Sequence, residues 1–453
     1  MRRQFRLLTG ISVFWLALSM LFDGINTLVL PLQLSEAASE NTQATVLGLF
    51  TFVGLLAGAL VQPVAGALSD RLRPRLGRKG FIGVGLLLSL GSLYLFAFFR
   101  GLVPLLIAYL AIQLSASFAQ AGQQGLIPDL VEEDRRGLAS GLKGFMDIAG
   151  AMLGFIVLGQ LLGSGRPVLA IAAIGAMMVA AYFTAIVLTP EDKAAAYRAA
   201  VRSFAPTRVF RITLNTGTAF TRLLLARFLF LLGIYATGRF LLLFVGDRLR
   251  LPPEQAAQQA GTLLAGLALI TVLASPITGW LADRFGRVPI MAAGSLLGAV
   301  SALMLIWAHS PAQILLFGGL MSLGSASFAG GSWTLIADLV PKDESARYFG
   351  LANFSTAGSA AVAGLFGPII DRTEQISPGN GFTILFLGAA IAFFASALPL
   401  RQRLLKEVRD VRERNRNKAK DRTDGSGLAV LSVPADPAAP QEDPHPPGGA
   451  AQL

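Results

Sequence analysis

The chain has no cysteine and only two histidines in 453 residues. The first absence excludes disulfides and thiolate chemistry and leaves the redox compartment unreadable. The second leaves little for a metal site, and neither a metal nor a cofactor is expected. Charge is scarce as well. Asp, Glu, Lys and Arg make up 14% of the residues, against about 25% in an ordinary soluble domain. A chain so poor in charge does not present most of its surface to water. The net charge of +11 would suggest a nucleic-acid partner if it formed a patch. The basic residues instead punctuate apolar runs, so no nucleic acid is expected. A Ser–His arrangement and a glycine-rich phosphate loop are also missing, which argues against an enzyme.

What is present is apolar. Hydrophobic residues make up 53% of the chain, and the mean hydropathy is +0.60. Crossing a bilayer core of about 30 Å takes roughly 20 apolar helical residues. Twelve such runs occur, at about 9–32, 45–68, 80–99, 102–126, 138–162, 167–189, 219–246, 257–280, 289–308, 312–335, 347–371 and 381–400. The first lacks a small-residue cleavage site and reads as a retained helix rather than a signal peptide. With the N-terminus inside, the inner segments hold 29 of the 38 Lys and Arg residues and the outer segments hold 5. The positive-inside rule therefore places both termini in the cytoplasm, on a multi-pass protein of the cytoplasmic membrane.

The remaining basic residues, Lys143, Arg222, Arg227 and Arg239, fall inside helices. One basic stretch occurs twice. GALSDRLRPRLGRKG (66–80) follows run 2, and GWLADRFGRV (279–288) follows run 8. A second echo agrees: IPDLVEEDRRG (127–137) follows run 4 and IADLVPKDESARYFG (336–350) follows run 10. Gly66 and Gly279 are 213 residues apart, as are Asp70 and Asp283, whereas Gly77 and Gly286 are 209 apart. The difference is the extra length of the first turn, read here as a loop. The chain is thus a duplicated six-helix unit in parallel repeat. The expected division is an N-terminal bundle (1–189), a cytoplasmic linker (190–218) with a short basic amphipathic helix, a C-terminal bundle (219–400), and a basic and then disordered tail (401–453).

The repeated turn resembles the signature of the major facilitator superfamily, Gly-x-Leu-x-Asp-Arg followed by Gly-Arg-Lys or Gly-Arg-Arg. Gly66, Leu68, Asp70, Arg71, Gly77, Arg78 and Lys79 carry it first, and Gly279, Leu281, Asp283, Arg284, Gly286 and Arg287 carry it again. The resemblance implies an all-α fold of two pseudo-symmetric six-helix bundles and a secondary transporter that opens alternately to each side. It further implies that Asp70 faces the start of helix 11 near Arg347 and Asp283 the start of helix 5 near Leu138. A carboxylate is favourable at a neighbouring helix N-terminus, so these contacts would latch the inner side shut. The form of the first turn tilts the resemblance toward sucrose and glycoside–pentoside–hexuronide symporters. Run 4 has no arginine in its first half, and run 5 carries Gly150, Gly154 and Gly159 without a Gly-Pro pair. Both features depart from drug–proton antiporters.

Ionisable groups inside membrane helices mark a pathway or gate. Asp23 is about 22 Å from the inner end of run 1 at 1.5 Å per residue, with Asn26 beside it on the same face. Arg239 in run 7 lies at similar depth, and the two are expected to meet. Lys143 and Asp147 form an i, i+4 pair above a stripe of small residues, so that face should pack on protein. Gln113 and Gln120, close to a whole number of turns apart, are cavity candidates, and Arg227 and Asn353 complete the set. Asp23 and Asp147 are the deep carboxylates able to carry a proton, since desolvation and pairing move a carboxyl in opposite directions; sodium coupling stays open. Trp15, Phe22, Tyr109, Tyr235 and Trp333 serve as packing or as stacking surfaces. The expected protein is a monomeric transporter in the lipid bilayer that moves a small polar organic solute, such as a glycoside, by symport with a cation. The rivals are an exporter of amphipathic compounds and a receptor or scaffold on the same fold.

Overall fold

A computed structural model describes residues 2–132, 135–189, 219–339 and 345–400. The expected linker (190–218) and tail (401–453) lie outside the described residues. Every regular element among the described residues is helical. In chain order these are α1 Arg2–Gly24, α2 Leu30–Ala37, α3 Gln43–Phe98, α4 Leu102–Leu130, α5 Arg136–Gly163, α6 Pro167–Leu188, α7 Ala219–Arg239, α8 Leu241–Leu249, α9 Pro253–Phe285, α10 Arg287–Leu305, α11 Pro311–Leu339, α12 Ser345–Ala363, α13 Phe366–Ile376 and α14 Gly381–Ala397.

Nine helical stretches among the described residues are long and apolar enough to span a bilayer. One of them, Glu40–Phe98, has 59 residues, which is enough for two crossings. With the broken pair α12–α13 and the shorter α14, the twelve spans are accounted for.

The basic turn 66–80 is not a loop. Helix continues through it to Gly77, whose φ of +64° breaks the rod. The chain folds back there, so that α4 packs along both limbs of α3. Gln62 bonds to Gln120 at 2.7 Å, while Phe81 stacks on Phe118. The matching glycine of the second turn, Gly286, has a φ of +94°. Both copies place glycine where an L side chain is strained, which explains why the residue repeats. The four extra residues of the first turn add one helical turn, and Arg73 within it reaches Asp129 at 3.2 Å.

Among the described residues three spans are interrupted. A π-turn, Ile25–Val29, separates α1 from α2 just after Asp23, and α7 ends at Arg239 before α8 resumes at Leu241. Spans 1 and 7 are therefore both distorted at the depth of their ionisable residues. Span 11 breaks between α12 and α13, around Gly364.

The packing pattern repeats. α1 lies on α5 and α6; α7 lies on α12 and α14. Lipid provides no hydrophobic drive between helices, so close backbone approach through small residues holds them. Gly150 sits against the Leu16 backbone and Gly154 against Met20, which places the expected small-residue stripe of α5 on α1.

Candidate functional site

The two halves meet at the end away from the basic turns. Gly48 and Gly364 face each other backbone to backbone, and Gly367 lies on Ala44. In the second seam a Cβ on Gly159 would lie 3.2 Å from the Cα of Gly261, and one on Gly163 2.6 Å from the Cβ of Gln258. Three hydrogen bonds cross these seams. The Thr45 amide donates to Asp371 Oδ2 at 2.6 Å, Gln258 Nε2 to Gln160 Oε1 at 2.9 Å, and Gln375 Nε2 to the Asn41 carbonyl at 3.2 Å. The basic end differs: among the described residues, Gly66, Gly137, Gly141, Gly279 and Gly350 meet no atom of another segment within 4 Å. Among the described residues the conformation is closed at the far end and open at the basic end.

The repeated turn is built around Arg78, whose side chain is 6% exposed. Its Nε donates to Asp129 Oδ2 at 2.9 Å, its Nη1 to Ser69 Oγ at 2.8 Å, and its Nη2 to Asp70 at 2.5 Å. The Asp70 side chain is 54% exposed. Asp70 therefore holds the arginine of its own turn; the Arg347 side chain, near which helix 11 was expected to meet it, lies outside the described residues. Asp283 is exposed and has no partner among the described side chains, and Leu138 is exposed as well. Arg71 and Arg284 are exposed and Arg287 is half-buried. Neither expected latch contact occurs among the described side chains.

Deeper in the bundle the candidates form three groups. Asn26 is buried, and its Oδ1 accepts from Tyr109 Oη at 2.6 Å and Gln113 Nε2 at 3.2 Å. Lys143 Nζ donates to Asp147 Oδ2 at 2.9 Å and stands 3.8 Å over the Trp15 ring, while Ser19 Oγ bonds Asp147 Oδ1 at 3.2 Å. Arg227, 4% exposed, donates to Ser332 Oγ at 2.7 Å and Thr356 Oγ1 at 3.1 Å and stacks on Trp333 at 4.2 Å. Gln120 pairs with Gln62, and Asn353 is exposed.

The expected meeting of Asp23 and Arg239 is not an ion pair. Their charges lie within electrostatic reach of each other, but no carboxylate among the described residues comes within 4.0 Å of Arg239. The Asp23 side chain is half-buried and makes no side-chain hydrogen bond. The π-turn that follows it shifts the register of span 1 by one residue, a distortion that a period of 3.6 cannot reveal. The sequence reading also missed Asp371, Thr45, Ser332, Thr356 and Ser19. Asp371 alone carried a signal, being a carboxylate at the end of an apolar run.

The family model of the Major Facilitator Superfamily matches residues 12–258 and 223–439. The chain belongs to the Major Facilitator Superfamily. Its family and its long apolar helices mark a multi-pass membrane protein. Its relatives include the class C tetracycline resistance protein of Escherichia coli, 37% identical over 140 residues, which are 30% of this chain and 33% of that protein. The match thus spans about a third of that relative's length. The multi-drug resistance efflux pump PmrA of Streptococcus pneumoniae is 24% identical over 335 residues, covering 71% of this chain and 80% of that one. Among solved structures, a D-xylose-proton symporter superposes with a TM-score of 0.67 at 18% identity, covering 88% of this chain and 97% of that chain. That likeness concerns the fold.

Proposed function

We propose that the protein is a proton-coupled secondary transporter that exports small amphipathic organic solutes by alternating access between its two bundles, 1–189 and 219–400. The observation that carries this reading is Asp23. A carboxylate left charged against lipid costs at least about 2.5 kcal/mol, yet this one stands deep in the bundle, half-accessible and without an ion pair. It lies beside a π-turn, and such turns concentrate at functional sites. A group in that position changes its affinity for protons when the surroundings close or open. The Asn26–Tyr109–Gln113 cluster offers neutral polar contacts nearby, and Lys143–Asp147 is a self-neutralised pair on the wall.

Export of amphipathic compounds takes precedence over glycoside symport because of the relatives. The glycoside resemblance is one turn wide, whereas PmrA aligns over 335 residues. The placement of both termini in the cytoplasm rests on the Lys and Arg asymmetry.

The test is transport by the purified protein in liposomes across a panel of amphipathic aromatic solutes, with and without an imposed proton gradient. Gradient-driven accumulation that a protonophore abolishes is expected. Movement indifferent to the gradient would overturn the coupling, and no movement of any solute would overturn the reading. Orientation is tested separately in this cysteine-free chain. Single cysteines at Ser39 and Pro311 should react with an impermeant thiol reagent from outside intact cells, and one at Leu138 should not.

A further inference from the structure

The middle of the bundle carries more positive charge than its own carboxylates can balance. Its cations are Lys143, Arg227 and Arg239, and its carboxylates are Asp23 and Asp147. Lys143 and Asp147 cancel each other at 2.9 Å. The polar partners of Arg227 are the hydroxyls of Ser332 and Thr356, both neutral. Arg239 is the extreme case. It is 5% exposed, and its Nε and Nη1 are enclosed without a hydrogen-bond partner. Its electrostatic neighbours are Tyr109, Tyr235 and Asp23, of which Tyr109 already gives its hydroxyl to Asn26.

A buried guanidinium with unpaired N–H groups is costly, more so than an unpaired neutral donor. Three features set Arg239 apart from an arginine that reaches for the membrane surface. It sits at the break between α7 and α8, where the helix is interrupted. Across from it the π-turn distorts span 1. Half-buried Asp23 lies close by, and the guanidinium, 5% exposed, is enclosed by protein rather than turned to lipid.

We propose that Arg239 is the docking point for an acidic group of the transported solute, a carboxylate or comparable oxyanion. The solute class is then an organic acid with an apolar body. The rigid fork of N–H donors on arginine suits a carboxylate, and the acid supplies the hydrogen bonds that the protein leaves unmade. This inference rests on the transporter reading above and narrows its substrate.

The experiment uses the full-length purified protein and a matched set of probes: aromatic monocarboxylates, their methyl esters, and amine analogues of the same size. Binding is read as the saturable shift in thermal unfolding midpoint. The acids should bind at least tenfold more tightly than the esters or amines. Arg239→Gln should remove that preference, and Arg239→Lys, which keeps a point charge without the fork, should retain part of it. If Arg239→Gln does not fold, Arg239→Lys carries the test through its weakened acid preference. Equal binding of acids and esters to the wild type overturns the proposal, and so does a full acid preference in the variants. The same probes in liposomes separate this inference from the broader one. Probes that are moved without acid preference overturn the docking role of Arg239 and leave the transporter reading standing. Acids that bind but are never moved do the reverse.

Discussion

The carboxylate of Asp371 accepts a hydrogen bond from the backbone amide of Thr45 at 2.6 Å, joining the end of span 11 to the first turn of span 2. Asp371 is buried, and Thr45 is in the first turn of α3, which begins at Gln43. A carboxylate there satisfies an orphan helix N–H and complements the positive end of the helix dipole. The family signature implies the mirror contact at the opposite end, from Asp70 on span 2 to the start of span 11. The same two helices would then cap each other alternately, one end in each state.

Removing the cap at either end should move the balance in opposite directions. Loss of an N-cap costs about 1 kcal/mol, which is roughly a fivefold population change. Asp371→Ala should favour the state closed at the basic end, and Asp70→Asn should favour the state seen here. The reactivity of a single cysteine at Leu138, exposed in this conformation, reports the shift. It should fall in the first variant and rise in the second. Movement in the same direction in both would disprove reciprocal capping.

The glycine seam gives a steric test. A side chain at Gly364 would press on the backbone oxygen of Gly48, and overpacking costs about 1–3 kcal/mol. Gly364→Val should therefore destabilise the far-end closure, lower Leu138 cysteine reactivity several-fold and slow transport. Gly66→Ala, at a position without close neighbours in this state, should leave Leu138 reactivity higher than Gly364→Val does. Equal values for the two would mean that the seam does not hold the state.

Arg78 should matter most for folding. Breaking a buried ion pair by removing one partner costs about 3–5 kcal/mol, and Arg78 binds Asp129, Ser69 and Asp70 together. Arg78→Ala should lower the thermal midpoint of the purified protein sharply, and Asp283→Asn, at an exposed carboxylate without a described partner, should barely change it. A small effect for Arg78→Ala would show that the cluster at the first turn is not structural.

The twelve spans and the duplication were legible in the sequence because length, apolarity and repeated residues are local properties. Gly77 and Gly286 were legible as a repeat, although their positive φ emerges only from the backbone. The pairing of Lys143 with Asp147 followed from helical spacing. Less of the site could be read. The break at Ile25–Val29 stands just before Pro31, a signal the sequence reading passed over, and the break after Arg239 changes the register with no proline beside it. Asp70 has one partner in this state and an expected partner in another, and a single sequence does not say which state it is in. The far-end seam depends on which glycines of different spans face each other, information that hydropathy does not contain.

Asp23 is the group on which the account depends, and gradient-driven accumulation compared with solute exchange in liposomes is its most direct measurement. If Asp23 carries the coupled proton, Asp23→Asn should abolish gradient-driven accumulation, while exchange of solute across the membrane persists. Full accumulation by Asp23→Asn alone would contradict the account and remove Asp23 from the mechanism.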